Sequence, residues 1–169
     1  AEEMDTLDMW SRTAPGIVLP SGIRVIEVRT GAGRLPAKGE RVYCHFKVWT
    51  AGFREGTPAD SSFRDTRPYD WYLGQPTKRV PVGFDEGVAG MREGGWRRLF
   101  VPFELAYGEE GLRFDGRRVM AVEPNTDVYY DINMVDGGSG KCDQVLRPPG
   151  VSEIGARRLK SISCERGKP

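Results

Sequence analysis

Histidine is almost absent from this chain: His45 stands alone among 169 residues. A single imidazole removes the usual material of metal centres and of His-dependent nucleophilic triads, and its place on an alternating strand pattern makes it structural. The sequence has no Gly-x-Ser-x-Gly elbow, no Walker loop and no Cys-x-x-Cys pair, and Gly31-x-Gly33 lacks the spacing of a dinucleotide fingerprint. Neither a metal nor a cofactor is expected. No apolar stretch reaches the roughly eighteen residues of a membrane span. Nor does either sign of charge dominate: Lys plus Arg number 25 and Asp plus Glu 24, a net +1, so composition gives no general attraction to nucleic acid. A start at Ala1 without an upstream apolar segment fits a mature chain whose targeting peptide was removed, and equally a longer chain that was trimmed.

What is present is a β-rich middle between two arms of opposite sign. Residues 1–21 carry Glu2, Glu3, Asp5 and Asp8, show no periodicity, and end in the breakers Ala14-Pro15-Gly16 and Leu19-Pro20-Ser21-Gly22. Residues 137–169 open on a Gly-rich linker and concentrate Lys141, Arg147, Arg157, Arg158, Lys160, Arg166 and Lys168. Both arms read either as solvated ends or as docking elements for a charged partner. Between them, residues 22–136 fit one domain. Val42, Cys44, Phe46 and Val48 alternate with Arg41, Tyr43, His45, Lys47 and Trp49, and the period of two returns at Tyr69-Trp71-Leu73, Leu99-Val101 and Val128-Tyr130-Ile132-Met134. Phe84, Val88 and Met91 instead stand at i, i+4 and i+7 between glycines, which predicts one helix of about two turns laid across the single buried face of an antiparallel sheet.

Aromatics from four of these elements can converge. Rotating an X-Pro bond costs about 18–20 kcal/mol because the amide loses resonance, and a pocket that excludes water favours the less polar twisted amide. No nucleophile is needed. The ordered series Gly31-x-Gly33-x-x-Pro36-x-x-Gly39-x-x-Val42-x-x-His45-Phe46, Asp60-Ser61-Ser62, Arg67-Pro68-Tyr69, Leu73-Gly74, Gly83-Phe84-Asp85-Glu86-Gly87-Val88, Ala106-Tyr107-Gly108 and Pro124-Asn125 resembles the FKBP-type peptidyl-prolyl isomerases over residues 22–136. That resemblance implies an α+β fold, a twisted antiparallel sheet wrapped around one short helix.

It further implies a cleft lined by Phe46, Asp60, Tyr69, Trp71, Val80, Phe84, Tyr107 and Tyr130. Phe84 would be its floor, Tyr107 would offer its hydroxyl to a substrate carbonyl, and Asp60 would orient polar neighbours. Proline-containing polypeptides would be the substrates. Three residues depart from the family pattern. Phe46 stands where Tyr is common; Ala59 replaces a Phe and opens one wall; Pro81 replaces a backbone N–H that binds the ligand carbonyl. These departures motivate a rival expectation, a non-catalytic module for assembling a larger complex. The segment between Gly108 and Pro124, with Arg113, Arg117 and Arg118, is longer than the family loop and would reshape the rim.

Cys44 reads as a buried thiol. Cys142 and Cys164 bracket a tail loop that a disulfide would close with about 3 kcal/mol, or they are free thiols. A cysteine pair after the isomerase domain is similar to some thylakoid-lumen members of the family, which implies a plastid lumen and photosynthetic membrane complexes as clients.

Overall fold

The computed structural model describes residues 2–138. In chain order these form α1 (Glu2–Thr13), β1 (Ile17–Val18), β2 (Arg24–Arg29), β3 (Arg41–Trp49), β4 (Asp60–Ser61), a 3-10 helix (Ser62–Asp65), β5 (Tyr69–Tyr72), α2 (Val82–Gly87), β6 (Trp96–Val101), a 3-10 turn (Phe103–Leu105) and β7 (Val128–Asp136). All seven strands belong to one antiparallel sheet in the order β1-β2-β6-β7-β3-β4, with β5 also pairing β3.

The period of two in β3, β6 and β7 produces the predicted apolar face: Val42, Cys44, Phe46, Val48, Leu99, Val101, Tyr130, Ile132 and Met134 are all essentially inaccessible. The helix that covers it is shorter than the apolar stripe suggests. It ends at Gly87, and Val88 and Met91 are buried from the segment beyond it. Gly83 and Gly87 let α2 lie close on β6, since a Cβ there would stand 2.3 Å from Val101 Cγ1 and from Leu99 Cδ1 respectively.

The opposite face is also covered, which corrects the expectation of a single buried face. Tyr43, His45 and Trp49 of β3 are buried, as are Trp96, Arg98, Asp131 and Asn133. The segment predicted to be an arm without periodicity contains α1, whose Leu7, Asp8 and Ser11, followed by Ala14, turn toward the sheet. This stripe has helical spacing, but apart from Leu7 it is polar or small, so hydrophobicity does not reveal it. Met9 and Trp10 point outward, 70% and 53% exposed.

Arg98, wholly buried, anchors the helix. Its Nη1 donates to the Asp8 carbonyl at 3.0 Å and to Ser11 Oγ at 2.7 Å, and its Nη2 pairs with the Asp8 carboxylate. Arg12 and Arg54 each reach Asp8 Oδ2 at 2.6 Å. Burial alone would raise the Asp8 pKa, but the hydrogen bonds from Arg12 and Arg98 and the charges of Arg98 and Arg54 outweigh it and hold the carboxyl below its ordinary value.

His45 is structural in its setting. It is 1% exposed, shares a 2.9 Å hydrogen bond between Nδ1 and Ser62 Oγ, and stacks on Phe63 at 4.3 Å. Burial pulls its pKa down to about 4, so the ring is neutral near pH 7. Cys44 is a buried free thiol, 3.7 Å from Met134 Sδ, with its pKa raised by burial. Cys142 and Cys164 lie outside the described residues.

Candidate functional site

The site begins with the alternation of β3 and β7. Val48 pairs with Tyr130 and Phe46 with Ile132, while Leu99 of β6 pairs with Tyr130 from the other side. Phe46 and Tyr130 therefore project from one face toward α2. There Phe84, fully buried, meets Phe46 at 5.3 Å and 83°, Trp71 at 5.3 Å and 80°, and Tyr130 at 4.7 Å and 63° between ring centroids and planes. These are edge-to-face contacts, which place the positive ring edge on a negative ring face. Tyr69 completes the group, 6.5 Å and 90° from Phe46, and Val80 is buried in the same cluster.

Polar atoms at the rim form a connected chain. Tyr130 Oη donates to Tyr107 Oη at 2.8 Å, and Tyr107 Oη donates to the Arg79 carbonyl at 3.3 Å. Burial raises both phenol pKa values, so both remain protonated donors. The 3.3 Å contact is long for an O–H···O bond. A carbonyl brought closer would take that proton at little cost. Trp71 Nε1 donates to Asp85 Oδ1 at 2.7 Å, the same oxygen accepts from Gly74 N–H at 3.0 Å, and α2 is thereby fastened to the end of β5.

Asp60, 2% exposed, is held as a bidentate partner of Arg79: Nε to Oδ2 and Nη2 to Oδ1, both 3.0 Å. Arg79 Nη1 also reaches Asp65 at 2.8 Å. The guanidinium carbon lies 5.5 Å from the Phe46 centroid and 5.2 Å from that of Tyr69, so a cation covers two of the aromatic rings. Desolvation opposes that charge, but the hydrogen bonds to Asp60 and Asp65 prevail and raise the Arg79 pKa.

All eight cleft residues named from the sequence thus lie together, seven in one packed cluster and Asp60 joined to it through Arg79. Sequence reasoning missed Arg79 and the fastening role of Asp85. Asp85 stood inside a quoted motif, whereas Lys78-Arg79 reads as an ordinary solvated basic pair. Of the three departures, Ala59 borders a cleft of about 720 Å³, Phe46 brings no hydroxyl beneath Arg79, and Pro81 precedes α2 at φ −69° without an N–H. Among the described residues no group of three or more His, Cys, Asp or Glu is placed to hold a metal, and no helix is long and apolar enough to cross a membrane.

Comparison with known proteins agrees with this architecture. A family model described as FKBP-type peptidyl-prolyl cis-trans isomerase matches residues 33–135. The chain is 33% identical over 123 residues to peptidyl-prolyl cis-trans isomerase FKBP16-4, chloroplastic, of Arabidopsis thaliana, covering 69% of this chain and 49% of the relative. It is 35% identical over 123 residues to photosynthetic NDH subunit of lumenal location 4, chloroplastic, from the same plant, with 69% and 54% covered. The chain thus spans about half the length of these two relatives. The crystal structure of AtFKBP13 superposes with a TM-score of 0.60 at 28% identity, over 71% of this chain and 96% of that one. The matched segment contains β3 through nearly all of β7 and every cleft residue, and the chain belongs to the FKBP-type peptidyl-prolyl cis-trans isomerase family.

Proposed function

We propose that this chain is a peptidyl-prolyl cis–trans isomerase acting on proline-containing polypeptides. The observation that carries the reading is the Phe84 ring at the centre of an aromatic cluster, linked through Tyr130 to the Tyr107 hydroxyl and its long, replaceable hydrogen bond. Proline would sit against the aromatic walls, Tyr107 would donate to a substrate carbonyl, and Asp60 would hold Arg79 at the rim. Exclusion of water then favours the twisted amide over the planar one. The assay is isomerisation of a short X-Pro peptide. Acceleration that falls several-fold in Tyr107→Phe is expected, and a rate equal to the spontaneous one overturns the reading.

A second reading is supported by Pro81, which lacks the N–H donor, and by Arg79, which already lies over Phe46 and Tyr69. Under it the scaffold serves assembly of a multi-subunit membrane complex, in keeping with the similarity to a lumenal NDH subunit. Under either reading the protein works in the thylakoid lumen of the plastid, where a Cys142–Cys164 disulfide would form. Pull-down with the full chain against residues 1–136, which keep α1 and its contacts with Arg98, tests the role of the C-terminal segment: equal recovery of every partner counts against it. Mass spectrometry without reductant tests the disulfide through a two-dalton deficit relative to the reduced chain.

A further inference from the structure

Beside the aromatic cluster lies the cleft of about 720 Å³, with Ala59, Asp60 and the 3-10 helix on one side and residues 114–121 on the other. The small side chain of Ala59 leaves it open, and Phe114 and Ala121 pack on the core beneath it. The loop is held in place. Lys78 Nζ donates to the Arg113 carbonyl at 3.0 Å, and Leu112 and Val122 form an antiparallel bridge.

The charge lining the cleft is unbalanced. Arg64, Arg79, Arg117 and Arg118 face only Asp60 and Asp65. Arg79 engages both carboxylates, and Arg64 donates to the Pro58 carbonyl. Arg117 and Arg118 are exposed and have no carboxylate partner among the described residues. Two guanidinium groups are thus presented to whatever occupies the cleft. Asp60 and Arg79 belong to both the cleft and the edge of the aromatic cluster, so a chain whose proline lies at the cluster would run over them into the cleft. The two acidic side chains inside it disfavour a polyphosphate and leave room for isolated carboxylates.

We propose that Arg117 and Arg118 determine specificity, by drawing in polypeptides with Asp or Glu next to the target proline. This rests on the isomerase reading for the proline and on the cleft alone for the acidic flank.

The test uses the full chain and two series of short peptides at low ionic strength, with Glu, Leu or Lys placed just before the proline in one and just after it in the other. Turnover is followed by proline isomerisation, and binding by anisotropy of fluorescein-labelled copies. In at least one series the expected order is Glu over Leu over Lys, with a Glu-to-Lys ratio of about tenfold. The Arg117→Glu, Arg118→Glu variant should bring that ratio to one or below. In the unaltered chain, about 1 M salt should shrink it several-fold, because the screening length falls to about 3 Å. Absence of any preference in both series, or a ratio indifferent to charge reversal and salt, overturns the inference. Binding that keeps the order without turnover sustains the acidic selectivity and overturns only the isomerase reading.

Discussion

The two faces of the sheet are closed by opposite chemistry. On the α2 face, apolar and aromatic side chains meet edge to face and glycines bring the helix close. On the α1 face, one buried arginine gathers a carboxylate, a hydroxyl and a carbonyl, and the outward side of the helix carries Met9 and Trp10. Apolar contacts tolerate small displacements, and under the proposed function this closed cluster must part to admit proline. A buried ion pair does not tolerate loss of either member, because the survivor keeps its desolvation cost without compensation. The first face can repack, and the second holds one arrangement.

Removing one member of the pair should break this contrast most visibly. Asp8→Ala leaves Arg98 buried beside Asp131 alone, and should cost about 3–5 kcal/mol of unfolding free energy by denaturant titration. Replacing both partners with apolar residues, Asp8→Leu with Arg98→Met, should recover at least half of that loss. A double variant no more stable than the single one would show that the polar contacts themselves, not the stranded charge, hold α1.

Acidification acts next. His45 has a folded pKa of about 4 against an ordinary 6.5, so the unfolded chain binds its proton first as pH falls. The stability it contributes is complete above pH 6.5 and is lost on the way down to about 4, by on the order of 3 kcal/mol. Asp8, held below its ordinary value of 3.8, adds a further loss only at still lower pH. Unfolding midpoints measured from about pH 7 to pH 4 should fall, and His45→Asn should flatten that dependence. A slope that persists in the variant assigns it to other groups.

On the α2 face the effects are smaller and, under the proposed function, appear in rate rather than stability. Tyr107→Phe removes a donor worth about 1 kcal/mol, and should lower kcat/KM about fivefold. The Tyr130 hydroxyl, which donates to Tyr107, loses its acceptor in the same variant, so Tyr130→Phe should reproduce only part of the fall. Equal falls in both would mean that the pair acts as one unit.

How far the sequence reveals each face follows from the same chemistry. Phe46, Tyr130 and Leu99 announce themselves through a period of two, and Phe84 through the glycines around it, so the pocket wall is readable along the chain itself. Asp8, Ser11 and Arg98 carry the composition of a solvated surface, and only the partner side chains distant in sequence show them to be interior. Arg79 belongs with them. Its inward turn depends on Asp60, 19 residues earlier, and no local pattern records that pairing. Apolar burial leaves a one-dimensional signature, whereas compensated charge is legible only in three dimensions.

The sheet order also governs when the molecule can exist. β7, the last strand among the described residues, lies between β6 and β3, so the two halves of the sheet have no common edge until residues 128–136 are available. During synthesis, β1-β2-β6 and β4-β3-β5 can pair only as separate half-sheets with exposed edges. The domain must therefore close late, around a strand whose Met134 meets Cys44 of β3 across 90 residues of chain. Pairings of such long sequence separation fold slowly. A protein whose proposed work is to hasten the folding of other chains would itself be a slow folder, open to capture by chaperones until β7 is inserted.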